Sequence, residues 1–349
     1  MYILVAVYAA AAALVVWAIV LRRQAGRLPR SLVAEYAPRP RARVLDDAVL
    51  AEQDRRAAAA GLLALAVQRK VRLLAETSTR GRAAIGVEVV DADALRTDDV
   101  ALLESLFGPD HPRDAVRRFS RDRRAVGRRV RERLDAVVAD LRTRQLIGAD
   151  RATRTVLRYL ASILLIITAF FTLLLLVGAA WRELAVAAIP AALCAAALWI
   201  VPHGAARRFT AAGDDRRRHL DGIRQYLSLA EADRMRVLHS PSGADVTSTG
   251  RVGAAEAFVI NERLLPYAVI LGVEKEWLAE LKLAYDELDA TSLAALGDVA
   301  ETMADLLQVT ATLGDLAQLA FAVGDLVDAG GGAFEVVGGV FEAIGDLTP

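Results

Sequence analysis

Three apolar runs constrain this chain more than any other feature. Tyr2 to Leu21 is uncharged and ends at Arg22-Arg23. Tyr159 to Ala180 is a run of 22 uncharged residues, and Leu184 to Val201 follows after only Trp181, Arg182 and Glu183. A helix of about twenty residues covers roughly 30 Å, the thickness of a bilayer core. So short a link between the second and third runs predicts an antiparallel transmembrane hairpin. Composition agrees: 55% of the residues are hydrophobic and mean hydropathy is +0.33, too apolar for an ordinary soluble chain.

Charge orients the runs. The first has no charge before its core and two arginines after it, which predicts an uncleaved anchor with its N-terminus outside rather than a signal peptide. Arg151, Arg154 and Arg158 precede the hairpin, Arg207 and Arg208 follow it, and only Arg182 sits at its turn. Basic residues favour the cytoplasmic side, so residues 22 to 156 and the C-terminus are expected inside an inner or plasma membrane. Trp17, Trp181 and Trp199 lie near segment ends, where amphipathic rings prefer the interface. Ala187, Ala191 and Ala195 have small-residue spacing that permits close helix packing, and Pro190 can kink the third run. Cys194, the one cysteine, lies in that run and reads as a packing residue; no intrachain disulfide is possible.

The expected organisation is a transmembrane anchor over 1–21, a Pro-containing extended linker over 22–47, and a cytoplasmic helix and β-hairpin domain over 48–156. A transmembrane hairpin over 157–202, a helical cytoplasmic domain over 203–290 and an acidic amphipathic tail over 291–349 complete it. In the first cytoplasmic part, the apolar spacing of Asp47 to Lys70 predicts a helix. Val71–Glu76 and Ile85–Val90 predict a β-hairpin around "TSTRGRAA". Thr97 is expected to cap a helix through Phe107. Helix, hairpin and helix together suggest a small winged-helix-like α/β domain in a mainly α membrane protein. "DAD" at 91–93 is a weak metal cue that reads better as a turn at a strand end.

Val116, Phe119, Val126, Val130, Leu134, Val137 and Leu141 recur every three or four residues and predict one long amphipathic helix over 113–147. Arg117, Arg118, Arg121, Arg124, Arg128, Arg129 and Arg131 fall largely on its other faces. They form either a solvated face with salt bridges, a contact for anionic lipid headgroups, or a nucleic-acid surface. The last is disfavoured because aromatics for base stacking are nearly absent.

After the hairpin, Leu220, Ile223, Leu227, Ala230, Val237 and Leu238 predict a helix from about Asp214 to Leu238. Asp221, Glu231 and Arg236 fall away from that stripe, and Glu231–Arg234 and Asp233–Arg236 are spaced to pair on a helix surface. His219 and His239 would stand roughly 30 Å apart on one straight helix, which argues against shared chemistry. A second amphipathic stretch over 258–285 should break at Pro266 and relax at Gly272. Trp277, Leu278, Leu281 and Tyr285 are expected to pack back on the preceding helix.

"HLDGIRQYLSLAEADRMRVLHSPSGA" followed by "NERLLPYAVILGVEKEW" resembles the C-terminal half of predicted membrane proteins of the domain of unknown function 2207 family. "EYAPRP" at 35–40 resembles that family's first cytoplasmic domain. The matching residues include His219, Asp221, Glu231, Asp233, Arg234, Pro266, Tyr267 and Trp277. The resemblance covers roughly residues 1 to 285. It implies an architecture and no established reaction, hence no catalytic residues. Family proteins typically carry an extracytoplasmic β-rich domain before the first anchor, whereas here only Met1 precedes it.

The tail carries charge of one sign. Residues 291 to 349 hold nine acids and no basic residue, whereas residues 22 to 156 hold 29 basic against 19 acidic residues, a net of +10. Apolar residues at helical spacing, from Val299 through Val327, predict amphipathic helices suited to a protein partner or to the chain's own basic domain. The sequence contains no phosphate loop, H-E-x-x-H, G-x-S-x-G, C-x-x-C or G-x-G-x-x-G motif. The expectation is a multi-pass membrane protein without cofactors, acting as an interaction or scaffold protein at the cytoplasmic face. Its partners are the bilayer and an unknown protein or a second copy of itself. A membrane-tethered regulator that touches nucleic acid is the alternative, and an uncharacterised membrane enzyme the third possibility.

Overall fold

The computed structural model describes residues 2–24, 26–77, 83–109, 116–118, 123–149, 153–177, 181–201, 207–229 and 254–313. In chain order the elements are α1 (Tyr2–Gln24), α2 (Val44–Leu50), α3 (Asp54–Val67), β1 (Val71–Thr77), β2 (Ala83–Val89), α4 (Thr97–Phe107), β3 (Arg117–Arg118) and α5 (Arg123–Thr143). There follow α6 (Thr153–Val177), α7 (Trp181–Ile200), α8 (Ala211–Leu227), α9 (Ala254–Arg263), α10 (Leu265–Leu271), α11 (Glu274–Asp286), α12 (Ala290–Leu296) and α13 (Asp298–Leu313). They divide into two compact units. One joins Met1–Arg27 to Arg144–Gly213; the other joins Leu28–Thr143 to the chain from Asp214 onward.

The first unit is a bundle of α1, α6 and α7. Two of its stretches, Val5–Gln24 and Thr155–Leu173, are long and apolar enough to cross a membrane, and Ala188–Ile200 is a shorter apolar stretch. The shared core lies at one end of the bundle, where Leu14 and Ala18 of α1 meet Leu157 and Ala161 of α6, Ala197 of α7 and Val201 just after it. Small residues at the contact let the backbones approach closely. The stripe differs from the expected one: Cys194 and Ala197 are buried, while Ala195 is exposed. On α6, Leu160, Ile163, Ile166, Ile167, Phe170 and Phe171 remain exposed, an apolar surface that suits lipid and not water.

The second unit holds both stretches that flank the hairpin. Polar pairs described below join the two stretches. Asp47–Lys70 forms two helices instead of one. Ala51 N–H donates to Asp47 O, Gln53 N–H to Ala48 O, and Glu52 takes φ 56° between the helices. The same apolar period runs through both, so periodicity alone does not mark the break. β1 and β2 pair antiparallel, Val71 opposite Val89 and Thr77 opposite Ala83. Arg117–Arg118 adds a short third strand opposite Val87 and Gly86. The predicted 113–147 helix accordingly starts at Arg123; Val126, Val130, Leu134, Val137 and Leu141 are buried as expected. Val116 instead lies against Gly86, where a Cβ would come within 2.5 Å of its Cγ1. Thr97 is the first residue of α4 and not its cap: Arg96 takes the cap position, and its N–H donates to Asp99 Oδ2 at 3.0 Å. "DAD" forms a turn in which Asp91 Oδ1 accepts the Asp93 and Ala94 N–H groups.

Residues 31–39 run along α8 before a turn at Pro40 and Arg41. Ser31 N–H donates to Asp221 Oδ2 (2.7 Å), Gln225 Nε2 to Ser31 O (2.9 Å), and Glu35 N–H to Gly222 O (3.0 Å). Arg39 pairs with Asp215 at 2.7 Å. Gly222 is required by this contact, because a Cβ there would lie 2.8 Å from Val33 O and 2.5 Å from Glu35 Cγ. We expect Gly222→Ala to force the strap off α8 and to cost about 1–3 kcal/mol, as overpacking does. Denaturant unfolding of the full chain in detergent, with proteolysis mapped to residues 28–39, checks this. An unchanged midpoint and cleavage rate would show that the strap is not held there.

Candidate interaction site

The polar residues of the unit gather along the seam between its two stretches. Asp47, in the first turn of α2, is 3% exposed. Arg216 Nε donates to its Oδ1 at 2.8 Å and the Tyr267 hydroxyl to its Oδ2 at 2.9 Å. A buried carboxylate is tolerated only with such partners. Burial pushes the Asp47 carboxyl upward from its ordinary value, against the pull of Arg216 and Tyr267. Burial, followed by the charge of Asp47, also pushes the Tyr267 hydroxyl well above its ordinary value, so that it stays a donor.

Two further pairs cross the same seam. Arg69, which leaves α3 at φ 59°, donates from Nη2 to both oxygens of fully buried Glu262, at 2.7 and 2.9 Å. Arg56 Nη1 donates to Val269 O (2.8 Å) and to Glu274 Oε2 (2.9 Å). Around them, the Tyr226 hydroxyl donates to Asn261 Oδ1 (3.0 Å) and Trp277 Nε1 to Asn261 O (3.1 Å), with the two rings edge to face at 6.3 Å. Pro266 sits in the first turn of α10 after the break at Leu264, where no helical donor is needed, and Gly272 ends α10 at φ 80°. Tyr285 packs on Phe258 at 5.9 Å.

A narrow cleft beside the seam is lined by Arg43, Asp46, Gln68, Arg96, Asp98, Asp99 and Arg133. Its charges answer one another. Arg43 reaches Asp46 (3.2 Å), Asp140 (2.6 Å) and Asp98, and Arg133 reaches Asp98 at 2.7 Å. Lys70 pairs with Asp99 at 2.5 Å. Among the described residues, no group of three His, Cys, Asp or Glu is placed to hold a metal ion.

The singled-out arginines scatter. Arg117 donates to the carbonyls of Phe107 (2.8 Å), Gly108 (3.3 Å) and Pro109 (3.2 Å), and Arg129 to Ser105 O (3.2 Å). Both therefore hold the C-terminal end of α4, where free carbonyls attract cations. Arg118 pairs through its backbone in β3, Arg121 lies outside the described residues, Arg131 is half-buried, and Arg124 and Arg128 are exposed. His219 sits against the strap, with Nε2 3.0 Å from Ala37 O and Nδ1 3.6 Å from Glu35. Asp221 points inward, against expectation: it is 1% exposed because Ser31, Arg224 and Gln225 solvate it in place of water. The predicted 214–238 helix is described only through Leu227, so Glu231, Asp233, Arg234 and His239 lie outside the described residues. Arg216, Arg56, Arg69, Asp47, Asn261 and Glu262 were missed as a set. Nothing in their local spacing links positions some two hundred residues apart.

Tyr267→Phe should strip Asp47 of a donor and cost about 1–3 kcal/mol, the penalty for a buried polar atom left unpaired. A fall in the denaturant midpoint of the full chain reads this out; an unchanged midpoint would mean that the hydroxyl is idle. Asp98 gives a pH test. Partial burial pushes its carboxyl up, but hydrogen bonds from Arg133 and Arg43 prevail and hold it below the ordinary aspartate value. A depressed carboxylate stabilises above its unfolded pKa and loses that contribution as pH falls through the folded value. Asp98→Asn should thus cost about 1 kcal/mol at neutral pH, given its partial exposure, and the gap should close below about pH 4. A gap that is constant with pH would overturn the ionic account.

Neither among curated proteins nor among solved structures does any match the chain. Residues 27–281 match the C-terminal domain of a family described as predicted membrane protein (DUF2207), and they take in the strap, the apolar hairpin and the whole seam; the chain belongs to that family.

Proposed function

We propose that this is a multi-pass membrane protein whose soluble unit serves as an interaction scaffold at the cytoplasmic face. One observation carries the reading. The hairpin interrupts a single compact unit, and buried polar pairs from both stretches join the two halves of that unit. Arg216, Tyr267, Arg69, Arg56 and Asp221 act as fasteners. A domain stapled in this way, and tied to membrane segments at three points of the chain, is suited to presenting a fixed surface.

The same interruption supports three crossings. The C-terminal end of α1, the N-terminal end of α6 and the C-terminal end of α7 share one end of the bundle core. Three crossings would put these three ends on the same face of the membrane. The arginines at 22–23, 151–158 and 207–208 favour the cytoplasm for that side. The α2–α3, hairpin, α4 and α5 arrangement reads as winged-helix-like. With the arginines of α5 dispersed, nucleic acid is the weaker partner and protein the stronger.

Cysteines placed at residues 25 and 250 should be protected from impermeant thiol reagents in intact cells and label only after lysis. Labelling at 250 without lysis would overturn the orientation. The scaffold reading is tested by purifying the intact chain in mild detergent. A protein recovered at fixed stoichiometry is the expected result; recovery of nucleic acid without such a protein would favour the regulator.

A further inference from the structure

The tail shows what kind of partner the scaffold takes. Among the described residues β1 is an edge strand, paired with β2, and its residues alternate between faces. Val71 and Leu73 are buried. On the other face Arg72 Nε donates to Asp305 Oδ2 at 2.6 Å, and Arg72 Nη2 pairs with Glu301. Both acids belong to α13, one turn apart, and Met303, Leu306 and Val309 of the same helix are buried beside them. An acidic pair at i and i+4 next to an apolar stripe is thus the ligand that this face accepts.

α13 lies beyond the family domain, which ends at residue 281. It is joined to that domain through the seven-residue α12 and Gly297, at φ 50°. The occupant is therefore an appendage on a surface that the family domain owns. Its hold combines apolar burial with one exposed ion pair, to Glu301, and one part-buried pair, to Asp305, of which the exposed one is the weak and salt-sensitive kind. We propose that the β1 face is a docking site for acidic amphipathic helices of partner proteins, and that α13 covers it in cis as a competitor. This rests on the scaffold reading and specifies its surface.

The test uses the full chain in detergent and a labelled synthetic peptide of residues 296–313. The double variant E301R/D305R should free the face, so that the peptide binds at least tenfold more tightly than to the wild-type chain. Adding R72E should abolish that gain. The milder E301Q/D305N should give an intermediate gain, which guards against loss of folding in the charge-reversed variant. Peptide binding that is equal in wild type and variants would overturn occupancy in cis, and no binding to either variant would overturn the site. A wild-type chain that is dimeric and becomes monomeric in E301R/D305R would also overturn it, by showing that α13 is exchanged between copies. Should the peptide fail while a stoichiometric protein still co-purifies, this surface falls and the scaffold reading stands.

Discussion

Asp47 sets the terms for the second unit. Its carboxylate is buried in the first stretch of chain, and both groups that pair with it, Arg216 and Tyr267, come from the second. A charge in that position without partners would be strongly destabilising. The first stretch therefore cannot bury its own α2 until the chain has passed through the hairpin. Arg56 and Arg69 carry the same dependence, since Glu274 and Glu262 lie beyond the hairpin too.

Such pairs confer specificity more than stability. Two desolvated charges recover through their attraction roughly what they lost with their water. A misregistered α10, however, would leave Asp47 without its hydroxyl donor, and a misregistered α9 would leave Glu262 without Arg69. The apolar faces of these helices would tolerate a shift better than the polar seam does. That explains why the recognisable run "NERLLPYAVILGVEKEW" mixes fixed polar positions with ordinary apolar ones.

What was legible in the sequence followed from local rules. The hairpin strands, the α4 limits and the buried stripe of α5 all come from periods of two and 3.6 that neighbouring residues enforce. The long apolar runs at α1 and α6 were legible because length against hydropathy is a one-dimensional test. The candidate site was not. Asp221 looked solvent-facing because its solvation is supplied by Ser31, 190 residues away, and no helical wheel contains that partner. The break at Glu52 escaped because a non-glycine residue takes the left-handed turn. Arg117 was misplaced on a helix because a two-residue strand has no period to detect.

The charge asymmetry of the chain acquires a physical meaning from the same unit. Several of its basic residues are spent inside the matched domain: Arg43 and Arg133 on Asp98, Arg117 and Arg129 on the end of α4, Arg216 on Asp47. Arg72 differs, because it stands on an edge strand and its acidic partners come from the tail. An uncovered edge strand is a template for unwanted pairing between chains. α13 supplies cover for β1, and its acids meet the one cation presented there by the strand's alternation. The net charges of the two regions thus matter less than where a single arginine is placed: Arg72 meets Glu301 and Asp305 beside the buried Met303, Leu306 and Val309.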